Sequence, residues 1–143
     1  MSDFFWTARV YWEDTDGGGV VYYANYLKFF ERARSEWLRA QGHSQRQLAV
    51  DPGILFSVAE ANVKYRRPAR LDDLLAISCV PVRDGAASVV FQQQMNCNTV
   101  GGELLAEAMV RVACVNADNF RPRRLPVVVA ALFESLGSAV DGR

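Results

Sequence analysis

The chain contains 143 residues, of which half are hydrophobic and 22% are charged, with 16 basic and 16 acidic side chains. This composition is typical of one globular domain covering residues 1–143, with a core from about residue 4 to residue 136. A net charge of zero excludes a general basic surface for nucleic acid, and no apolar run approaches the about 18 residues that cross a membrane. The first residues, Met1 to Trp6, lack the basic start and cleavage site of a signal peptide. We therefore expect a cytoplasmic protein.

The first predicted element is a strand from Phe4 to Trp12. Its side chains alternate between two faces with a period of two and include aromatic and β-branched residues, which is typical of a strand. The strand leads into a turn that carries two acids, Asp14 and Asp16, followed by the three consecutive glycines Gly17 to Gly19.

A long amphipathic helix is predicted next, from Tyr22 to Gln41. It would extend for about 30 Å, which is long enough to cross a sheet, and Gly42 is placed to end it. We expect its bulky apolar face to pack in the core, and this face consists of Tyr23, Tyr26, Leu27, Phe30, Ala33, Trp37 and Leu38.

The remainder of the chain is predicted to be mostly strand. A short helix with a capping box of Ser44 and Gln47 comes first, and a last helix is expected from Pro126 to about Leu136. Between them, turns at Asp84-Gly85 and Gly101-Gly102 help to separate four strands, which are predicted near residues 59–66, 75–80, 89–95 and 106–114. This order favours an antiparallel sheet with one helix packed across it, an α+β arrangement.

The acidic turn and the helix start together suggest an acyl-transfer site. Gly17 to Gly19 can adopt positive φ and let another molecule approach the backbone, while a helix start offers unpaired N–H groups and the positive end of its dipole. A carboxylate beside such donors can attack a carbonyl or activate water, while the donors hold the oxyanion that forms. The glycines match neither a dinucleotide fingerprint nor a phosphate loop, and Asp14 and Asp16 would repel a phosphate. A structural turn with a capping acid is the alternative.

The run from Arg9 to Tyr26, with its core Asp-Thr-Asp-x-x-Gly-Val-Val-Tyr-Tyr-x-Asn-Tyr, resembles the signature of the hydroxybenzoyl-CoA thioesterase family. These are hotdog-fold acyl-CoA hydrolases. Residues 26–36, 68–75 and 121–126 resemble the YbgC branch, the acyl-CoA thioesterases associated with the Tol-Pal system, so the resemblance covers most of the chain. It implies an α+β hotdog fold, in which an antiparallel five-stranded sheet wraps around one long helix. It also implies a homodimer or homotetramer with active sites at the subunit interface.

The resemblance assigns roles to individual residues. Asp16 matches the catalytic aspartate, acting as a general base on water or as a nucleophile that forms a transient anhydride. Tyr23 matches the position whose backbone N–H polarises the thioester carbonyl; many YbgC-type members carry histidine there, so the acyl preference stays open between short aliphatic, long-chain and aromatic groups. Asp14 is the lesser candidate for the catalytic acid. Glu31 is a rival base, because another hotdog branch uses a helix glutamate.

The expected substrate is an acyl-CoA, with an acyl carrier protein as another acyl donor. Coenzyme A carries phosphates, which arginine binds through charge-assisted hydrogen bonds. We expect the substrate to approach Gly19, and we expect basic side chains to hold the nucleotide end. The candidates are Lys64, Arg66, Arg67 and Arg70 in one cluster and Arg121, Arg123 and Arg124 in another.

Metal and redox chemistry are not predicted. Cys79, Cys97 and Cys114 are about 18 residues apart without a C-x-x-C pair, and His43 is the only histidine, so their spacing matches neither a zinc site nor a redox motif. We interpret the thiols as buried apolar residues of a reducing compartment and expect no cofactor.

Two other functions fit the resemblance less well. A hotdog hydratase or dehydratase would need a histidine paired with an acid, and His43 lies at the wrong end of the helix. A non-catalytic hotdog module that binds acyl-CoA or an acyl carrier protein would be expected to lose the acid at position 16, and Asp16 is present. We therefore favour an acyl-CoA thioester hydrolase that releases free CoA and a carboxylic acid.

Overall fold

The computed structural model describes residues 4–133, in which an antiparallel sheet packs against one long helix. The strands are β1 (Phe5–Arg9), β2 (Ile54–Tyr65), β3 (Leu74–Ser78), β4 (Val80–Arg83), β5 (Ser88–Cys97) and β6 (Leu104–Asn116). The helices are α1 (Tyr26–Ala40), α2 (Gln45–Val50) and α3, which begins at residue 127 and is described to residue 133. Within the described residues, none of the helices has the length and apolar character needed to span a membrane.

The sheet has the strand order β1-β3-β5-β6-β2, and every neighbouring pair is antiparallel. The predicted α+β hotdog arrangement is confirmed, but the sheet has six strands rather than the predicted five, because β4 also pairs with β5. The strand expected from Leu75 to Val80 is divided at Cys79 into β3 and β4, which keep one register against β5. Next to the break, the hydroxyl of Ser78 accepts the backbone N–H of Gln94 at 3.1 Å, so a side chain replaces a backbone partner within the ladder.

Strand β2 forms one edge of the sheet and is longer than predicted. It begins at Ile54 rather than near Ala59, because the apolar residues before Ala59 also pair with β6. A β-bulge between Val58 and Glu60 leaves Ala59 out of the register. Residues 58–62 are all exposed, so the alternation in this stretch does not mark a buried face as the sequence suggested.

Helix α1 supplies most of the core on its side of the sheet. A 3-10 turn at Tyr23–Asn25 leads into it, and Gly42 follows it with φ +91°, as predicted. The prediction that the apolar face is buried is wrong for Tyr23 and Leu27, which are exposed. Tyr23 belongs to the 3-10 turn, whose tighter winding turns it away from the face of α1. The other predicted members are buried, namely Tyr26, Phe30, Ala33, Trp37 and Leu38.

The remaining predicted elements are present with different bounds. The strand predicted from Phe4 to Trp12 ends at Arg9, because Trp12–Asp14 forms a 3-10 turn, and α1 begins at Tyr26 rather than at Tyr22. The hydroxyl of Ser44 accepts the backbone N–H of Gln47 at 3.1 Å and caps α2. The turn at Asp84-Gly85 joins β4 to β5 as a hairpin. Helix α3 begins immediately after Pro126, whereas its predicted end near Leu136 lies outside the described residues.

Candidate active site

Two acids follow β1, and the structure gives them different environments. The carboxylate of Asp14 closes the turn, because its Oδ2 accepts the backbone N–H of Tyr11 at 2.7 Å. Asp16 is exposed on the following loop, where its Oδ1 accepts the N–H of Gly18 at 2.7 Å. Asp16 therefore presents a carboxylate to an incoming molecule, while Asp14 shapes the turn that positions it.

The three glycines after Asp16 serve two different purposes. Gly17 and Gly19 have φ of +90° and +89°, a backbone conformation that residues with a Cβ rarely adopt, as the sequence predicted. Gly18 has no such φ, but a Cβ at this position would lie 3.2 Å from Oδ1 of Asp16. Glycine at position 18 therefore keeps the space beside the carboxylate open.

The acidic turn is fastened to the helix start by one carbonyl group. The backbone oxygen of Asp14 accepts both the N–H of Tyr22 and the side-chain amide of Asn25, each at 3.0 Å. Within residues 4–133, the backbone N–H groups of Tyr23 and Ala24 have no acceptor, as expected for the first residues of a helix. The structure thus brings a carboxylate and two free N–H donors onto neighbouring segments.

A residue from the far end of β2 also reaches the helix start. The hydroxyl of Tyr65 donates to the backbone oxygen of Tyr23 at 3.1 Å, and its ring packs edge-on against Tyr26, with ring centroids 5.0 Å apart. Partial burial, helped by the hydroxyls of Tyr26 and Tyr23, raises the pKa of Tyr65. Sequence analysis placed Tyr65 on a strand but gave it no role, because only the fold brings together residues 42 positions apart.

Arg70 lies next to the glycine loop. It forms an isolated β-bridge with Val20, and the following residue, Leu71, donates its N–H to the backbone oxygen of Gly19 at 2.9 Å. Among the described residues, the Arg70 guanidinium has no acidic partner within 4.0 Å. The structure therefore places the backbone of Arg70, a residue whose charge is not paired with an acid, beside the loop that carries Asp16.

The other members of the same basic cluster differ in their pairing. Arg66 donates through Nε and Nη2 to Oε2 of Glu107, at 2.8 and 2.6 Å, and Arg67 lies 3.2 Å from a carboxylate oxygen of Glu103. Lys64 has no ion pair within residues 4–133. Arg66 and Arg67 are thus already neutralised by acids. Lys64, like Arg70, has no acidic partner among the described residues.

The second predicted basic cluster lies elsewhere in the chain. Arg121 follows β6, and its backbone oxygen accepts the N–H of Asn116, the last residue of that strand. Asn116 in turn pairs with Ile54 at the start of β2. Arg123 holds the backbone oxygen of Pro52 at 2.8 Å. Since the 12 residues of β2 extend for about 35 Å, this cluster is remote from the Tyr65 end of the strand. Within one chain, the structure does not bring it to the Asp16 loop.

Glu31, the rival base, lies two turns beyond the helix start. Its Oε2 accepts the hydroxyl of Ser35 at 2.7 Å, and it lines a cavity of about 80 Å³ between α1 and β2. Arg34 lines the same cavity; burial lowers its pKa, and Nη1 donates to Oε1 of Gln93 at 3.0 Å. Eight residues of helix, about 12 Å, separate Glu31 from Tyr23, so the two free N–H donors are not within its reach.

His43 is placed as the sequence predicted, directly after Gly42 at the carboxyl end of α1. Its backbone N–H donates to the oxygen of Leu38 at 3.2 Å, which continues the end of the helix. The 15 residues of α1, about 22 Å, lie between His43 and the turn that carries Asp16. A histidine–acid pair of the hydratase type is therefore not formed by these two residues within one chain.

Comparison with known proteins gives consistent results. The sequence model of the thioesterase-like superfamily matches residues 10–133. The acyl-CoA thioesterase YbgC of Haemophilus influenzae is 41% identical over 133 residues, which cover 93% of this chain and 96% of that protein. The acyl-CoA thioester hydrolase YbgC of Escherichia coli O6:H1 is 44% identical over 133 residues, covering 92% and 96%.

A similar relation is found among solved structures. A crystal structure of a "probable thioesterase" from Bartonella henselae superposes with a TM-score of 0.80 and 39% sequence identity. The match covers 87% of this chain and all of that chain. Sequence and structure therefore lead to the same group of proteins.

Proposed function

The chain belongs to the thioesterase-like superfamily, and we propose on that premise that it hydrolyses acyl-CoA thioesters to free CoA and a carboxylic acid. The observation that supports this proposal is the double hydrogen bond of the Asp14 carbonyl, which links the loop of Asp16 to the turn that carries the free N–H groups of Tyr23 and Ala24. The acyl-CoA hydrolases at 41–44% identity support it.

Asp16 supplies the group that starts the reaction. As a general base, its carboxylate takes a proton from water while the water oxygen attacks the thioester carbon. The tetrahedral intermediate then expels the CoA thiolate, which takes the proton from Asp16 and restores the carboxylate. As a nucleophile, the Asp16 carboxylate attacks the same carbon, CoA leaves, and water hydrolyses the resulting anhydride.

The backbone at the helix start stabilises the charge that develops. In both routes the thioester oxygen becomes an oxyanion, and the N–H groups of Tyr23 and Ala24 are positioned to donate to it. The positive end of the α1 dipole adds to this effect. Loss of one donor in such a site typically lowers kcat by about 10²–10³. Because the donors belong to the backbone, the tyrosine side chain at position 23 does not change this part of the mechanism.

We propose that Arg70 and Lys64, rather than Arg66 and Arg67, provide the main charge for the CoA phosphates. The backbone of Arg70 pairs with Val20 next to Gly19, and its guanidinium has no acidic partner among the described residues. Arg66 and Arg67 already pair with acids of the β6 region, so a phosphate would have to compete for them. An acyl carrier protein, the other acyl donor considered, lacks the adenine nucleotide that these cations would bind.

Replacement of Arg70 by methionine should raise KM for an acyl-CoA about tenfold and leave kcat nearly unchanged, since a charge-assisted hydrogen bond is worth about 1.5–3 kcal/mol. The same acyl group on pantetheine has no nucleotide, and its hydrolysis should not change. Arg66→Met is the matched control and should raise KM less. Equal losses with acyl-CoA and acyl-pantetheine would contradict binding of the nucleotide by Arg70.

We also propose that the protein is a homodimer formed along β2, with a homotetramer as a further level of assembly. β2 is the terminal strand of the sheet, so its 12 residues pair on one side only, and a long unpaired edge favours association with another strand. It also exposes apolar surface, with Val58 53% and Tyr65 46% exposed. Phe5 and Tyr11, exposed at the opposite edge, are available for a second contact.

Lysine at position 58 should convert the protein into monomers with little activity, because a twofold axis perpendicular to β2 near its middle would bring the two new charges together. Light scattering after size-exclusion chromatography measures the mass, and hydrolysis of acyl-CoA measures the activity. Val50→Lys provides the control, since Val50 is 83% exposed and belongs to α2 rather than to the unpaired edge strand. A Val58→Lys variant that remains a dimer would exclude β2 as the interface.

The proposed compartment is the cytoplasm. Cys79, Cys97 and Cys114 are free thiols in the described part of the chain, and Cys79 and Cys114 are buried. Burial raises the pKa of all three thiols, which keeps them in the protonated form. Thiols in this state are typical of proteins from reducing compartments.

A further inference from the structure

The contact between Tyr65 and the helix start involves the peptide group that joins Tyr23 to Ala24. The Tyr65 hydroxyl donates to the oxygen of this peptide at 3.1 Å. The N–H of the same peptide belongs to Ala24 and has no acceptor within residues 4–133. The oxygen of the peptide is therefore bound by the Tyr65 side chain in addition to the backbone N–H of Tyr26, while the N–H on its other side is free to bind a ligand.

A hydrogen bond to a peptide oxygen changes the N–H on the opposite side. It draws electron density toward the oxygen, so the N–H becomes more positive and a better donor, as in chains of polarised hydrogen bonds. It also fixes the plane of the peptide and so the direction in which the N–H points. In the first turn of a helix, where the N–H has no intrahelical partner, both effects act on a bound ligand.

We propose that Tyr65 is a positioning residue for hydrolysis: its hydroxyl orients and polarises the Tyr23–Ala24 peptide, so that the Ala24 N–H acts as a second donor to the oxyanion. This role rests on the proposed function. Tyr65 does not touch the reacting atoms in this mechanism and acts only through the backbone. The chemical consequence is stronger binding of the tetrahedral intermediate than of the thioester.

The surroundings of Tyr65 suit this role. Its ring packs edge-on against both Tyr26 and Tyr23, with centroid separations of 5.0 and 6.3 Å, so the hydroxyl is held over the carbonyl. A raised pKa keeps the hydroxyl protonated, as a donor must be. The hydroxyl of Tyr26 has a different partner, because it accepts the buried N–H of Ala69 at 3.0 Å. Tyr26 thus provides a neighbouring tyrosine with a structural hydrogen bond for comparison.

Tyr65→Phe keeps the ring and removes only the hydroxyl. We expect kcat for an acyl-CoA to fall about tenfold, less than for loss of a direct donor, while KM stays within twofold and the Tm is nearly unchanged. Tyr26→Phe leaves a buried N–H without its acceptor and should show the reverse, a lower Tm with kcat nearly unchanged. An unchanged kcat in Tyr65→Phe would overturn the role of Tyr65.

A double-mutant cycle tests whether Tyr65 acts through Ala24. Ala24→Pro removes the N–H in question, and Tyr65→Phe should then cause no further loss of kcat. If the two losses multiply instead, Tyr65 acts elsewhere and the proposal fails. Proline at position 24 also restrains Tyr23, so the Tm of the double variant is measured alongside.

A spectroscopic measurement decides the question even if the proline variant does not fold. The preferred acyl-CoA, labelled with ¹³C at its thioester carbonyl, is bound to Asp16→Asn with and without Tyr65→Phe. Hydrogen-bond donors lower the stretching frequency of the thioester carbonyl, so loss of the Tyr65 hydroxyl should raise this frequency. The same frequency with and without Tyr65→Phe would contradict polarisation of the Ala24 N–H. A wild-type protein that hydrolyses no acyl-CoA would instead remove the proposed function, and full activity of Asp16→Asn would remove only the role of Asp16, so these failures are distinguishable from failure of the Tyr65 proposal.

Discussion

Asparagine in place of Asp16 should lower kcat for acyl-CoA hydrolysis by about 10³, because the amide can neither take a proton from water nor attack a carbonyl. The side chain keeps its shape, and its oxygen can still accept the N–H of Gly18, as the carboxylate does at 2.7 Å. The Tm should therefore stay within a few degrees of the wild-type value. Release of CoA, followed with a thiol reagent across a panel of acyl-CoAs, measures the effect and identifies the preferred acyl group.

Asp14→Asn is the matched control for this experiment. The Asp14 carboxylate only accepts the backbone N–H of Tyr11 at 2.7 Å, and an asparagine oxygen can do the same, so kcat should fall only a few fold. A larger loss in Asp14→Asn than in Asp16→Asn would reverse the assignment. If wild type and both variants bind CoA but hydrolyse nothing, the protein is a non-catalytic binding module.

For an active wild-type protein, a single turnover in ¹⁸O-water distinguishes the two mechanisms, since only the anhydride route can place label in the Asp16 carboxylate.

Replacement of Trp37 by alanine should destabilise the protein by about 3–5 kcal/mol. Trp37 is fully buried in α1, where its ring stacks on Phe133 at 5.3 Å and meets Phe91 edge-on at 5.7 Å. Removal of the indole leaves a cavity between the helix and the sheet that these rings can fill only in part. Since a domain is typically stable by about 5–15 kcal/mol, chemical denaturation should show the loss of a large share of the total.

Trp37→Phe separates the packing of Trp37 from its polar group. The indole Nε1 is buried and has no acceptor among the described residues, which costs about 1–3 kcal/mol in the native protein. Phenylalanine removes that cost while giving up some contact, so the net change should stay within about 1.5 kcal/mol. A loss in Trp37→Phe as large as in Trp37→Ala would indicate that Nε1 has a hydrogen-bond partner.

The acidic turn and the helix start could be predicted because they are adjacent in the sequence. Asp16, the glycines and Tyr23 lie within eight residues, and the change from a period of two to helical spacing marks the boundary between strand and helix. Positive φ at Gly17 and Gly19 and the end of α1 at Gly42 follow from local chemistry alone. The structure confirms the positive φ of both glycines and the end of α1.

Contacts between distant segments could not be obtained in this way. The pairing of Arg66 with Glu107 and of Arg67 with Glu103 depends on the register between β2 and β6, which the periodicity of a single strand does not define. The bulge after Val58 shifts that register further. The contact of Tyr65 with the Tyr23 carbonyl was missed for the same reason.

The double hydrogen bond to the Asp14 carbonyl has a consequence for how such a protein can evolve. It ties the loop of Asp16 to the first turn of α1 through groups that all lie between Asp14 and Asn25. The Asp16 carboxylate and the free N–H groups of the helix start therefore lie within one contiguous stretch of sequence, whereas the cavity lined by α1 and β2 is built from segments far apart in the chain. Substitutions elsewhere in the chain can therefore accumulate while this stretch is inherited intact, so members of one superfamily can keep the same local geometry and differ in the rest of the sequence.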